Sequence, residues 1–170
     1  MNGNFEECLA LVLHSEGGFA NNPLDPGGMT NLGVTKVTYE GYVNRHVDEA
    51  EMRSLTPALV APLYKKMFWD RIKGDALPVG VDYCVFDAAV NSGVGRAAKF
   101  LQVALNLPAD GIIGPITLHA LEVRDPEEII EQICRERLEF LQSLNTWHTF
   151  GKGWGKRVAD VEQRATAMLT

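Results

Sequence analysis

Basic residues are scarce in this sequence. Its 170 residues carry 16 Lys and Arg against 22 Asp and Glu, a formal net charge of -6. Binding nucleic acid through its phosphates needs clustered Lys and Arg, so that class is disfavoured. Simple charge attraction to an anionic membrane or wall is disfavoured with it, and 152-KGWGKR-157 is the local exception. Cysteine is scarce too. Cys8, Cys84 and Cys134 are far apart and odd in number, with no CxxC or Cys/His spacing. They read as buried free thiols within helical apolar patterns. His14 and His148 lack partners at ligand spacing, so no metal is expected. No apolar run approaches the roughly 18 residues needed to span a membrane. The N-terminal MNGNFEECLALVLHSEGG lacks a basic n-region and carries Glu6 and Glu7, unlike a standard signal peptide. The expectation is a chain that is cytoplasmic at synthesis. If its target lies outside, something else must release it.

Alternating strand patterns and internal repeats are also missing, and helical periodicity fills the gap. Phe5, Leu9, Val12 and Leu13 form one apolar face. Asp48 with Glu51 makes a capping-box pattern. Thr56 and Pro57 open a helix in which Leu59, Leu63 and Met67 are the expected buried stripe and Pro62 the expected break. Residues 79–93 are apolar nearly all round and read as a central buried helix ended by Gly93. Further helices are expected over 95–106, from Pro115 to 123, from 126 to about 144 behind an Asp125 cap, and from about 155 to 169. The fold class is mainly α, one compact monomeric unit.

Glu16 stands out within this pattern. It continues the Phe5, Leu9, Val12 face by one more turn and precedes Gly17 and Gly18, so it falls in a last helical turn. Burial and the negative end of the helix dipole both raise a carboxylic acid's pKa, which suits a general acid. Read by position alone, it is an ordinary last-turn acid with its side chain in water. Asp25 follows in a Pro-Leu-Asp-Pro-Gly-Gly turn and Thr30 after it. A buried acid paired with a carboxylate in a polar loop suits glycosidic cleavage, with a threonine hydroxyl holding water. Their plain alternatives are an Asx-type turn for Asp25 and an N-cap or strand residue for Thr30.

The run 16-EGGFANNPLDPGGMTNLGVT-35 resembles the signature of glycoside hydrolase family 108, N-acetylmuramidases related to phage lysozymes and to secretion activators. Residues 64-YKKMFWDRI-72 and 82-DYCVFDAAVNSGVGRA-97 resemble later blocks of that family. The stretch 101-LQVALNLPADGIIGPITLHAL-121 is similar to its peptidoglycan-binding-type region, with a Leu-Gln start and an Asp-Gly-x-x-Gly-Pro-x-Thr core. The resemblance implies a lysozyme-like helical fold, with a short hairpin after the first helix. It implies a catalytic lobe over 1–92 and a peptidoglycan-binding-type lobe over 93–170. It implies hydrolysis of the β-1,4 bond between N-acetylmuramic acid and N-acetylglucosamine, with Glu16, Asp25 and Thr30 as catalytic residues and no cofactor. The Asp25–Thr30 interval is one residue shorter than phage-type lysozymes usually show.

Asn91 suits a hydrogen bond to an acetamido group, or equally a helix C-terminus. Tyr64 and Trp69, like Trp147, Phe150 and Trp154 beside Gly-rich turns, suit sugar stacking or core filling. Asp87, on the apolar helix, needs a partner if buried and reads as structural. Asp110 and Gly111 read as a tight turn ahead of Pro115. Two other functions stay open: a non-catalytic peptidoglycan-binding or secretion-accessory protein of the same fold, and a helical DNA-binding protein over 95–123.

Overall fold

The computed structural model describes residues 4–24 and 28–170, so Asp25 lies outside the described residues. The architecture is mainly helical, with a small antiparallel hairpin after the first helix.

Helix α1 (Phe5–Ser15) buries Phe5, Leu9 and Val12, as the spacing predicts. The hairpin pairs β1 (Thr30–Asn31) with β2 (Val34–Thr35), Thr30 opposite Thr35. Thr35 then caps α2 (Lys36–Val43), its hydroxyl accepting from the Thr38 N–H at 3.1 Å. This helix was not foreseen, because its mixed polar sequence has little apolar periodicity. Helix α3 (Glu49–Arg53) starts where Asp48 accepts from the Glu51 N–H at 2.8 Å. Helix α4 (Pro57–Tyr64) starts where Thr56 accepts from the Leu59 N–H at 3.2 Å.

Helix α4 corrects the expected stripe. Val60, Leu63 and Tyr64 are buried, and Leu59 is 49% exposed. Pro62 stays inside the helix, and the chain then widens into a π-helical turn over Lys65–Trp69. Proline offers no N–H to the carbonyl one turn back. Widening to i→i+5 bonds shifts the phase of the side chains that follow.

Helix α5 (Val81–Ser92) is buried at every residue from Val81 to Ala89, as a helix that is apolar all round must be. Gly93 ends it at φ +94. Around α5 pack α6 (Val94–Ala104), α8 (Pro126–Gln142) and α9 (Trp147–Ala167). Asp125 caps α8 by accepting from the Glu127 N–H at 2.9 Å, and Pro115 opens α7 (Pro115–Leu121). Helix α9 begins eight residues before the expected start near 155. Three glycines argue against a helix there, yet a Cβ on Gly151 would lie 2.6 Å from the Trp147 ring. The missing side chain is what lets that indole lie along its own helix, so the expected Gly-rich turns are helical.

By packing, the described chain divides into two compact units, one within Glu6–Met67 and one of Phe68–Thr170 with Asn4 and Phe5. The 1–92 and 93–170 lobes are a division by motif. The packing division puts α5 with α6, α8 and α9.

Candidate active site

Glu16 is the first residue beyond α1, and its N–H reaches the Val12 and Leu13 carbonyls, each at 3.2 Å. It is half-buried, less covered than its helical phase suggests. The chain leaving it is tied down at once by backbone bonds. Ala20 and Thr30 exchange both N–H···O bonds, at 2.9 and 2.8 Å, and the Leu32 N–H donates to the Gly17 carbonyl at 3.0 Å. Residues 17–20 thus lie bonded to 30–32, which puts Glu16 and Thr30 on adjoining segments. Asn31, buried on β1, donates to the Met52 carbonyl at 2.9 Å and fixes the hairpin from the other side.

Gly33 completes this local structure and was missed as a site residue. It turns the hairpin at φ +76, where a side chain is strained. A Cβ there would sit 2.5 Å from the Tyr64 hydroxyl and 2.9 Å from Cγ of Glu16. Both side chains therefore lie against the Gly33 backbone. The Tyr64 hydroxyl donates to the Leu32 carbonyl at 2.8 Å, and Tyr64 is only 1% exposed. The signal was available, since Gly33 belongs to the Gly-Val-Thr end of the quoted run.

Trp69 is placed differently from expectation. It is 1% exposed, with Phe86 edge-on at 5.3 Å and Phe5 tilted at 5.4 Å. Its indole N–H donates to Asp75 at 2.9 Å, and Gly74 lies against the ring. The expectation of a sugar-stacking face is corrected here, because its aromatic surface is spent on the core.

Asp87 has the partners its burial demands. Its carboxylate is 0% exposed and shared by two arginines. Arg137 of α8 approaches with Nη1 2.7 Å from Oδ2. Arg157 of α9 donates through Nε at 3.2 Å and Nη2 at 3.0 Å. Arg137 is itself 1% exposed, and its Nη2 donates to Oδ1 of Asn91 at 3.2 Å. Asn91 is exposed near the end of α5. Burial, then the Asp87 charge, pushes the Tyr83 hydroxyl above its ordinary pKa. The Cys84 thiol is pushed well up by its contact with Cys134, Sγ to Sγ 3.9 Å, and by burial. All three cysteines are buried.

The Asp-Gly-x-x-Gly-Pro-x-Thr core is organised by one buried amide. Gln102 of α6 donates to Asp110 at 2.7 Å, to the Ile112 carbonyl at 2.9 Å and to Thr117 at 3.3 Å. Its Oε1 accepts from the Gly111 N–H at 2.9 Å. The Ile112 N–H, then Gln102, holds the Asp110 carboxyl below the usual range. The motif residues thus form the turn that delivers the chain to α7.

A family model described as glycosyl hydrolase 108 matches residues 9–93. A second, described as a predicted peptidoglycan domain, matches residues 96–159. The solved structure of Brucella abortus SagA is similar to this chain at a TM-score of 0.87 and 40% sequence identity, covering 99% of this chain and 97% of that one. No curated protein shows a significant match. Among the described residues, no helix is long and apolar enough to cross a membrane.

Proposed function

We propose, from the premise that this chain belongs to the glycosyl hydrolase 108 family and carries a peptidoglycan domain, that it is an N-acetylmuramidase. Its role concerns peptidoglycan; the proposal adds the bond and the groups that cleave it. Glu16 donates a proton to the glycosidic oxygen between N-acetylmuramic acid and N-acetylglucosamine. The bond to the anomeric carbon breaks through an oxocarbenium-like state, and water supplies the hydroxyl that replaces the leaving sugar, its released proton passing to a carboxylate of the site. Asp25 is the second carboxylate and Thr30 the hydroxyl that holds the water. Tyr64 and Asn91 serve the substrate by positioning and by hydrogen bonding.

The observation that carries the reading is the setting of Glu16. A carboxylate at a helix end is held against a glycine whose backbone takes a left-handed turn and leaves no room for a side chain, beside a buried tyrosine and the strand of Thr30. An acid whose side chain escapes to water needs none of this.

Digestion of purified sacculi by wild type and Glu16→Gln, with mass spectrometry of the reducing ends, tests it. Muramic acid at the new ends and a loss of about 10²–10⁴ in rate for the variant are expected. Full activity in Glu16→Gln refutes the mechanism, and N-acetylglucosamine at the ends makes the enzyme a glucosaminidase. The peptidoglycan domain supports one other reading, binding without cleavage. Wild-type protein that pulls down sacculi but releases no reducing sugar would establish it. Release to the periplasm or wall through a holin or secretion system remains part of the proposal, with the monomer as the acting form.

A further inference from the structure

A pocket of about 230 Å³ opens where the end of α5 meets α8 and α9. It is lined by Asn91, Ser92, Phe140, Leu141, Leu144 and Trp154. Asn91 and Trp154 are 63 positions apart, and nothing in their local sequence joins them. The pocket is smaller than the ~300 Å³ at the low end for drug-sized ligands, so it suits one ring rather than a strand.

Its polar member is oriented from behind. Arginine has donors and no acceptor. The Asn91 amide can therefore meet Arg137 Nη2 only through its oxygen. That fixes which end of the amide is held and leaves its NH₂ to present donors elsewhere. Arg137 cannot turn away, because it is buried and paired with Asp87, which is gripped again by Arg157. A buried ionic chain thus ends in one surface amide of set polarity. Two of its four apolar members are aromatic. Trp154 is half-buried, and Phe140 is half-buried under the Arg96 guanidinium at 4.0 Å. Aromatic walls with a few directed polar groups are the usual make-up of a small-ligand site.

We infer that this pocket binds one N-acetylated aminosugar ring of a glycan strand, the ring against Trp154 and a carbonyl or hydroxyl oxygen on the Asn91 NH₂. Arg137 is a positioning residue for Asn91. The inference rests on the peptidoglycan reading above and assigns it a sugar subsite in the helical unit.

The test uses the full chain with Glu16→Gln to prevent cleavage. The probes are peptide-free glycan strands and, separately, free stem peptides. The Trp154 indole N–H resonance, assigned through Trp154→Phe, reports occupancy, and calorimetry gives affinity. Asn91→Asp is the decisive variant. It keeps an oxygen for Arg137, so melting should hold or rise, yet it replaces the outward donors by an acceptor. Glycan strands should shift the Trp154 signal, and Asn91→Asp should weaken binding at least tenfold with the fold intact. Trp154→Ala should lose a similar factor. In the cleavage-competent chain, Asn91→Asp should raise KM more than it lowers kcat. No shift with glycan, a shift only with stem peptide, or unchanged affinity in Asn91→Asp overturns the inference. Those results leave the hydrolase reading standing if wild type still cleaves and Glu16→Gln does not.

Discussion

The two compact units hold their polar groups in opposite ways. Around Glu16, in the unit of Glu6–Met67, the framework is backbone. Three N–H···O bonds clamp loop to hairpin, and a glycine turn lies against the acid. Around Asp87, in the helical unit, the framework is side-chain charge, one buried carboxylate between two arginines from different helices. Backbone clamps leave a carboxylate half-open to do chemistry. Charge pairing uses the carboxylate up. The acid suited to a reaction is therefore the less buried of the two, and burial alone is a poor guide to a catalytic carboxylate.

The largest effect expected from breaking this contrast is on the helical side. Asp87→Asn leaves two guanidinium groups without their anion, and breaking a buried pair costs about 3–5 kcal/mol. The urea midpoint should fall accordingly, and a change below ~1 kcal/mol would show that the arginines relax into water. Next comes Gly33→Ala. The left-handed backbone costs about 1–2 kcal/mol, and the new Cβ must displace Glu16 or Tyr64. Activity on sacculi should drop at least tenfold in samples shown by calorimetry to be folded. Activity that merely follows the folded fraction would remove Gly33 from the site.

A smaller effect appears with alkali. Tyr83 and Cys84 keep their protons in the native state above their ordinary values, about 10 and 9. The unfolded chain gives those protons up first. Stability is therefore complete below those values and is lost as pH rises through them toward the folded ones, by up to about 1.4 kcal/mol per unit for each group. Denaturation at pH 7, 9 and 11 should show the decline, and Tyr83→Phe should flatten it. Smallest of all is Arg45→Ala. Its pair with Glu51 is exposed, and exposed pairs contribute little, so no measurable change in melting is expected. A clear drop would mean that α3 depends on it.

Much of the fold was legible because its signals are local. Asp48, Thr56 with Pro57, Gly93, and Asp125 with Pro126 each act within a turn of their own position, and each marks a helix end as read. The start of α9 was illegible because Gly151 works through the Trp147 ring, a packing effect that propensity opposes. On α4, Leu63 is buried as read, while Leu59 is exposed and Val60 is buried in its place, a choice made by tertiary packing that no local signal announces. At the site, helical phase and the quoted motif singled out Glu16, which stands one residue beyond α1 and half-buried. The contact of Tyr64 with Gly33 was not legible, since they lie 31 positions apart. Asp87's need for a partner was readable, while Arg137 and Arg157 lie 50 and 70 positions away. Asp25, central to the reading, lies outside the described residues.

The same separation has a kinetic consequence. The Asp87–Arg157 contact joins α5 to the last helix across 70 residues, among the longest loop closures in the helical unit. Long-range closures are slow to form. During synthesis, the Asp87 carboxylate must wait for α8 and then α9 before it is matched. A nascent chain holding α5 without α9 carries its most buried helix with a half-neutralised acid inside it. Such a chain should stay open and protease-sensitive until α9 emerges, so the helical unit commits to its native state in one late step.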